Sequence, residues 1–196
     1  DDADLWESSP VRLGEIEQDA GLFIETVFAP DDLVWIGERH QPGILGDTIR
    51  KAGDWVNFFR AGRKAGPFVI VNPLTGLPAP KKDGTGETLR GDNNISKFRH
   101  VLIEFDNLDR ESQIRFWTGV ELTIKALVDT GGKSIHGWID AQKLAAVQDL
   151  DQWHATVKQR LYEGILKPMG ADPTAASPSS LARLPGCPRG DRFQRL

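Results

Sequence analysis

The chain has 196 residues, 39% hydrophobic and 27% charged, with a formal net charge of −4. Those values are ordinary for a soluble globular protein of one domain, or one domain of two lobes. They exclude a membrane-spanning helix, since no apolar run nears ~20 residues, and the acidic balance counts against a protein that coats nucleic acid indiscriminately.

Asp1 to Trp6 carry neither the basic start nor the apolar stretch of a signal peptide. The chain lacks an initiator Met and stops abruptly after Phe193-Gln194-Arg195-Leu196, so a fragment of a longer protein is expected. The lone Cys187 cannot form an internal disulfide, which points to a reducing cytoplasm. Charge is uneven: 178–196 holds Arg183, Arg189, Arg192 and Arg195 against Asp191.

The first half reads as mixed α/β. Asp19 to Val27 suits a short helix, Leu33 to Ile36 a strand, and Pro67 to Val71 a buried strand broken by Asn72-Pro73. Trp55 to Phe59 is rich in aromatics. Thr75 to Asn94 has the Gly, Pro, Lys and Asp content of a long exposed loop, and loops of that length are usually functional or disordered.

The second half is more regular. His100 to Asp106 has strand composition, and Asp109 can cap a helix to about Trp117. Thr123 to Val128 and Ser134 to Ile139 read as strands joined by the reversal Asp129-Thr130-Gly131-Gly132-Lys133, a β-hairpin. From Leu150 to Leu166, Leu150, Trp153, Val157, Leu161 and Ile165 recur at helical spacing. Leu181 to Leu184 would be a last strand. The order is β-α-β-β-α-β, the split arrangement of ferredoxin-like and RNA-recognition-motif folds.

Alternation along a strand sends Val101, Ile103 and Phe105 to one face and Leu102, Glu104 and Asp106 to the other. Two carboxylates thus stand side by side on an open face. At an effective dielectric near 20 their repulsion is on the order of 2 kcal/mol. A hard divalent cation would relieve it; solvation of both acids is the bland alternative.

In the second hairpin strand Ser134, His136 and Trp138 share one face, with Lys133 in the turn. If the isoleucine side packs inward, a cation, a hydroxyl and an imidazole join the acid-bearing face, all suited to phosphate oxygens. Gly131-Gly132-Lys133-Ser134 is not a P-loop: the required earlier glycine is Leu127, and a strand follows the serine. His40, in a Pro/Gly loop, has no partner spacing for a metal, His154 is expected as a surface or core-edge residue of the long helix, and His100 is expected to be no ligand. Cys187 has no partner cysteine for zinc and no activating base.

Glu104-Phe105-Asp106 resembles the acidic first motif of the archaeo-eukaryotic primase superfamily, and Ser134-Ile135-His136 its S-x-H second motif. Asp172-Pro173 through Arg183-Leu184-Pro185-Gly186 is similar to the third-motif region of phage and plasmid replication primases. The match runs in order over about 66–196. The resemblance implies an α+β primase-polymerase fold, with an N-terminal α/β lobe (about 1–97) on an RRM-like catalytic lobe (about 98–196).

It further implies two metals, Mg2+ or Mn2+, held by Glu104 and Asp106, with Asp172 as third acid. Ser134, His136, Lys133 and Arg183 would hold the triphosphate of an incoming NTP or dNTP. The partner would be a single-stranded DNA template, with a helicase C-terminal to this fragment, and the activity DNA priming or polymerisation. The chain departs from the commoner D-x-D by having Glu first, and Asp172 lies in a Gly-Ala-Asp-Pro turn rather than at the end of an apolar strand.

Two other readings compete. A metal-dependent nuclease would use the same acids without nucleotides. A catalytically inert single-strand-binding module would stack bases on the sheet, with Trp138 as its platform. A nicking initiator is disfavoured, because Tyr162 is the only tyrosine and no two histidines lie close in sequence.

Overall fold

A computed structural model describes residues 1–9 and 14–196. Two antiparallel sheets share one hydrophobic core. The first half forms α1 (Asp2–Ser8), α2 (Ile16–Val27), β1 (Leu33–Gly37), β2 (Ile49–Lys51), α3 (Ala52–Arg60) and β3 (Phe68–Ile70). The second contributes β6 (His100–Ile103), α4 (Arg110–Gly119), β7 (Ile124–Asp129) and β8 (Ile135–Asp140). After α5 (Ala141–Ala145), α6 begins at Leu150 and stays helical to Leu166. β9 (Leu181–Arg183) and a small β10/β11 hairpin (Pro188–Arg189, Arg192–Phe193) close the chain.

The expected element order is present, but the last strand pairs elsewhere. β6, β8 and β7 form a three-stranded sheet in that order, whereas β9 completes the other sheet, β2-β1-β3-β9, against β3. The edge of β6 where a fourth strand would dock meets Ala171 and Asp172 instead: Phe105 bridges Ala171, and the Asp172 amide donates to the Glu104 carbonyl at 2.9 Å. Residues 181–183 are thereby free to seam the two halves. Buried Asn72 reinforces the seam: its amide nitrogen donates to the carbonyls of His100 and Pro178, and its oxygen accepts from the amides of Arg99 and His100. Every polar group of that side chain is satisfied.

Asp109 caps α4 as expected, accepting from the Ser112 amide. The long helix departs from its expected face. From His154 on it bonds i→i+5, a π-helix, which widens each turn. Burial therefore falls on Trp153, Val157, Tyr162 and Leu166, while Ile165 is exposed. The segment expected as one long loop, 75–94, carries a short hairpin, β4 (Ala79–Pro80) with β5 (Glu87–Thr88), then a 3-10 turn at Asp92–Asn94.

One half of the face that carries Leu102 is covered. Trp138 is fully buried, edge-on to Phe23 and Phe28 at 4.9 and 6.1 Å. At roughly 1.5–3 kcal/mol per large apolar side chain, these aromatics hold α2 on that half. Trp138 is thus a core residue, and the expectation that it offers a stacking platform is corrected.

His100 lies in this core, its Nε2 against the Val27 carbonyl and its ring against Phe28 and Trp138. Burial pushes its pKa down to about 4. Below the ordinary value near 6.5 the unfolded chain binds a proton that the folded chain refuses, so stability is full above pH ~6.5 and falls as pH drops toward 4. The loss is on the order of 3 kcal/mol. Urea midpoints measured from pH 7 to 4.5 are expected to fall more steeply for the wild type than for His100→Gln.

Candidate active site

The uncovered half of the acid-bearing face opens into a cleft of about 420 Å3 between the two sheets. Strand alternation brings Leu102, Glu104 and Asp106 to it, as expected, although the β6 ladder itself ends at Ile103. Phe105 points the other way, packed edge-on against Phe116 and Trp117 of α4 at 4.8 and 6.3 Å. Glu104 and Asp106 therefore stand on a rigid aromatic footing. Gly137 of β8 makes that footing possible: a Cβ there would lie 2.0 Å from the Trp117 ring.

The turn before β8 delivers Ser134, and β8 delivers His136. Ser134 Oγ donates to Asp106 Oδ1 at 3.1 Å, and His136 Nε2 lies 2.5 Å from Glu104 Oε2. The Arg183 amide of β9 donates to His136 Nδ1 at 3.4 Å. An Nδ1 that accepts places the ring proton on Nε2, facing Glu104. His136 thus joins the first acid, the hairpin and the other sheet.

Asp172 also lines the cleft. Its carboxylate accepts from the Thr174 amide and hydroxyl at 2.9 and 2.5 Å, capping the turn Pro173–Ala176. Cap and cleft residue are one here, because the backbone bond to Glu104 ties that turn to the end of β6. Beneath the acids, the buried Tyr162 hydroxyl donates to the Leu102 carbonyl. Burial, reinforced by Glu104 and Asp172, holds that phenol well above its ordinary pKa, so it remains a neutral donor.

Of the expected phosphate ligands, Ser134, His136 and Arg183 line the cleft and Lys133 does not. The Lys133 side chain is exposed, and its carbonyl accepts from Gln113 Nε2. Two other arginines, Arg39 and Arg189, line the cleft as well. Arg39, from the end of β1, and Arg183 place their guanidinium carbons 5.0 and 4.4 Å from the Phe68 ring. Arg189 enters from β10, anchored by Thr130 through its carbonyl and hydroxyl. Burial, then the charges of Arg189 and Arg39, lower the Arg183 pKa, with Glu104 opposing. Three mutually repelling cations gathered at one cleft are suited to a polyanion.

Arg189 lay in the C-terminal basic run, which marked charge without position; nothing local marked Arg39. Cys187 is buried, its thiol pushed up to about 11 by burial and then by Glu38. That is the reverse of an activated nucleophile. Among the described residues no three His, Cys, Asp or Glu side chains group as a ready metal cage. Glu104 and Asp106 nonetheless offer hard oxygen donors in a polar cleft, a partial set that fits Mg2+ or Mn2+. Among the described residues no helix is long and apolar enough to cross a membrane.

No protein-family model matches the chain, and no curated protein matches it. Solved structures do. The AEP domain of the cyanophage S-2L primase-polymerase (PrimPol) superposes with a TM-score of 0.50 at 16% identity, over 90% of this chain and 86% of that one. The primase RepB′ gives 0.48 at 14% identity, over 92% of this chain and 54% of that one. The catalytic domain of RepB′ in complex with initiator DNA gives 0.45 at 14% identity, over 88% and 77%. Across nine-tenths of its length, then, this chain has the fold of the archaeo-eukaryotic primase-polymerase (AEP) domain.

Proposed function

We propose that the chain is a template-directed nucleotidyltransferase that primes or extends DNA, joining NTPs or dNTPs in the cleft. The observation that carries this reading is the convergence of Glu104 and Asp106 with Ser134, His136 and three arginines in one cleft. The primase-polymerase activity named for the cyanophage domain of the same fold supports it. In this reading the β6-β8-β7 sheet with α4 and α6 is the body of an RRM-like catalytic lobe (about 98–196), whose β9 reaches across to complete the sheet of the other lobe (about 1–97).

Glu104 and Asp106 would hold Mg2+ or Mn2+, with Asp172, which lines the same cleft, as the third acid. Bound there, such a cation supplies Lewis-acid stabilisation of phosphate oxygens and acidifies the attacking 3′-hydroxyl. The chain's own residues do the rest. Arg183, Arg189 and Arg39 face the triphosphate and offset its charge, a preorganised field that needs no nucleophilic side chain. His136 Nε2 and the Ser134 hydroxyl, which face Glu104 and Asp106, would turn their protons to the same oxygens once the two carboxylates bind a cation. The Tyr162 phenol fixes the strand beneath.

His136→Ala is expected to raise the nucleotide KM about 10- to 100-fold, the worth of one charge-assisted hydrogen bond, with a smaller change in kcat. An unchanged KM would remove His136 from the triphosphate role. The test of the function itself supplies single-stranded template, separate NTP and dNTP pools and Mg2+ or Mn2+, with and without primer. A parallel arm without nucleotides reads template degradation. Product that depends on template and metal is expected; degradation alone would make the chain a nuclease.

A further inference from the structure

We propose that a second cavity, beside the cleft, is a binding site for single-stranded DNA, through which the template strand runs as it leaves the catalytic acids. This deepens the polymerase reading and rests on it only for the identity of the strand.

The cavity, of about 390 Å3, lies between the chain following β1 and the β4/β5 hairpin. That volume falls within the ~300–1,000 Å3 of pockets that enclose small organic groups, room for one nucleotide unit. Its lining has two kinds of surface. Pro42, Pro78 and Leu89 form an apolar wall against which a base face can lie, and Lys81 and Arg90 supply cations for the phosphates on either side of it. Glu87 lines it as well, an acid that can accept from an exocyclic base amine.

Arg90 is held rather than loose. Its guanidinium carbon sits 4.6 Å from the centre of the buried Trp35 ring, and its Nη2 donates to the Arg39 carbonyl at 3.0 Å. Burial lowers its pKa. Lys81 is exposed at the hairpin, free to meet a phosphate without unfolding anything.

Position gives the cavity its meaning. Arg39 lines the catalytic cleft and the next residue, His40, lines this cavity, so a strand passing from one to the other crosses a single cationic ridge. The hairpin is also tied to the far wall of the cleft. Asp92, just beyond it, accepts from Ser177 Oγ and Ser179 Oγ at 2.5 Å each and pairs with Lys82 at 3.3 Å. The net charge of −4 leaves little general attraction for DNA, so a strand needs a local basic track of this kind.

The experiment measures fluorescence anisotropy of a labelled 12-mer of dT with the full chain, in EDTA and without nucleotides, so that no chemistry is required. Lys81→Glu is expected to weaken binding about tenfold and to reduce the slope of log Kd against log salt by about one. Lys158→Glu, on the π-helix and lining neither cavity, is expected to stay within twofold. Binding of a fluorescent dNTP is expected to be the same in Lys81→Glu and wild type. A 5-iodouracil oligonucleotide is expected to crosslink within 78–90. Unchanged affinity and salt slope in Lys81→Glu, or crosslinks confined to other segments, would overturn the site. Tighter binding of oligo-rU than of oligo-dT would also overturn it, by assigning the track to RNA. Lys81-dependent binding by a protein that incorporates no nucleotide would sink the polymerase reading and leave this one standing. Incorporation with DNA binding indifferent to Lys81 would do the reverse.

Discussion

Asp106→Ala is expected to lower nucleotide incorporation on the order of 10^3-fold or more while leaving the fold intact. The size follows from the role. A carboxylate that helps hold a catalytic divalent cation underwrites several kcal/mol of transition-state stabilisation, and each 1.36 kcal/mol is tenfold in rate. The intact fold follows from the environment. Asp106 is exposed, lies past the end of β6, and its side chain receives one hydrogen bond, from Ser134; removing it opens no cavity. Glu104→Ala is expected to be equally inactive but less stable, because its partner His136 is buried and would lose the acceptor for its Nε2 proton. Primer-extension assays with Mn2+, paired with urea unfolding, separate the two effects. Synthesis by Asp106→Ala at wild-type rates would end the assignment of this cleft as the catalytic centre.

The second large effect concerns stability. Gly137→Ala is expected to cost about 3 kcal/mol or more, the upper range of overpacking a core, and to lower Tm by roughly 6–12 °C for a chain of this size. The cause is steric alone, since the backbone there is ordinary strand. The added methyl would sit within 2.5 Å of three Trp117 ring carbons, and that ring is buried against Phe116 and Phe105. Trp117→Leu in the Gly137→Ala background is expected to recover part of the loss, a coupling that a double-mutant cycle reads directly. Since Phe105 lies between Glu104 and Asp106 in sequence, Gly137→Ala is also expected to lose activity at temperatures where it is still folded. Full activity there would show that the aromatic footing does not position the acids.

Much of the site was legible because strand geometry is local. The period of two was enough to place Glu104 and Asp106 on one face with Leu102, and Phe105 on the other. Turn chemistry in Asp129 to Lys133 was enough to fold Ser134 and His136 back toward them. The same local logic found Asp109 as a cap. It failed at the long helix, where apolar spacings of three and four suggested α-helical turns. The helix adopts π bonding, so Tyr162 and Leu166 are fully buried, Leu161 is only half-buried and Ile165 is exposed. Residue periodicity does not distinguish α from π bonding over such a segment.

Residue order alone therefore determined the two acids on one strand face, the hairpin opposite them and the cap of α4, since each depends on neighbours within a few positions. Tertiary structure alone decided what completes the cleft. The partner of Leu181–Arg183 is Phe68–Ile70, more than a hundred residues away, and that pairing brings Arg183 and Phe68 to the acids. It also decided that Arg39 and Arg189 line the cleft while Lys133 does not, and that Trp138 is core rather than platform. Contacts between distant segments are set by which surfaces can be buried together, and no local pattern of residues carries that information.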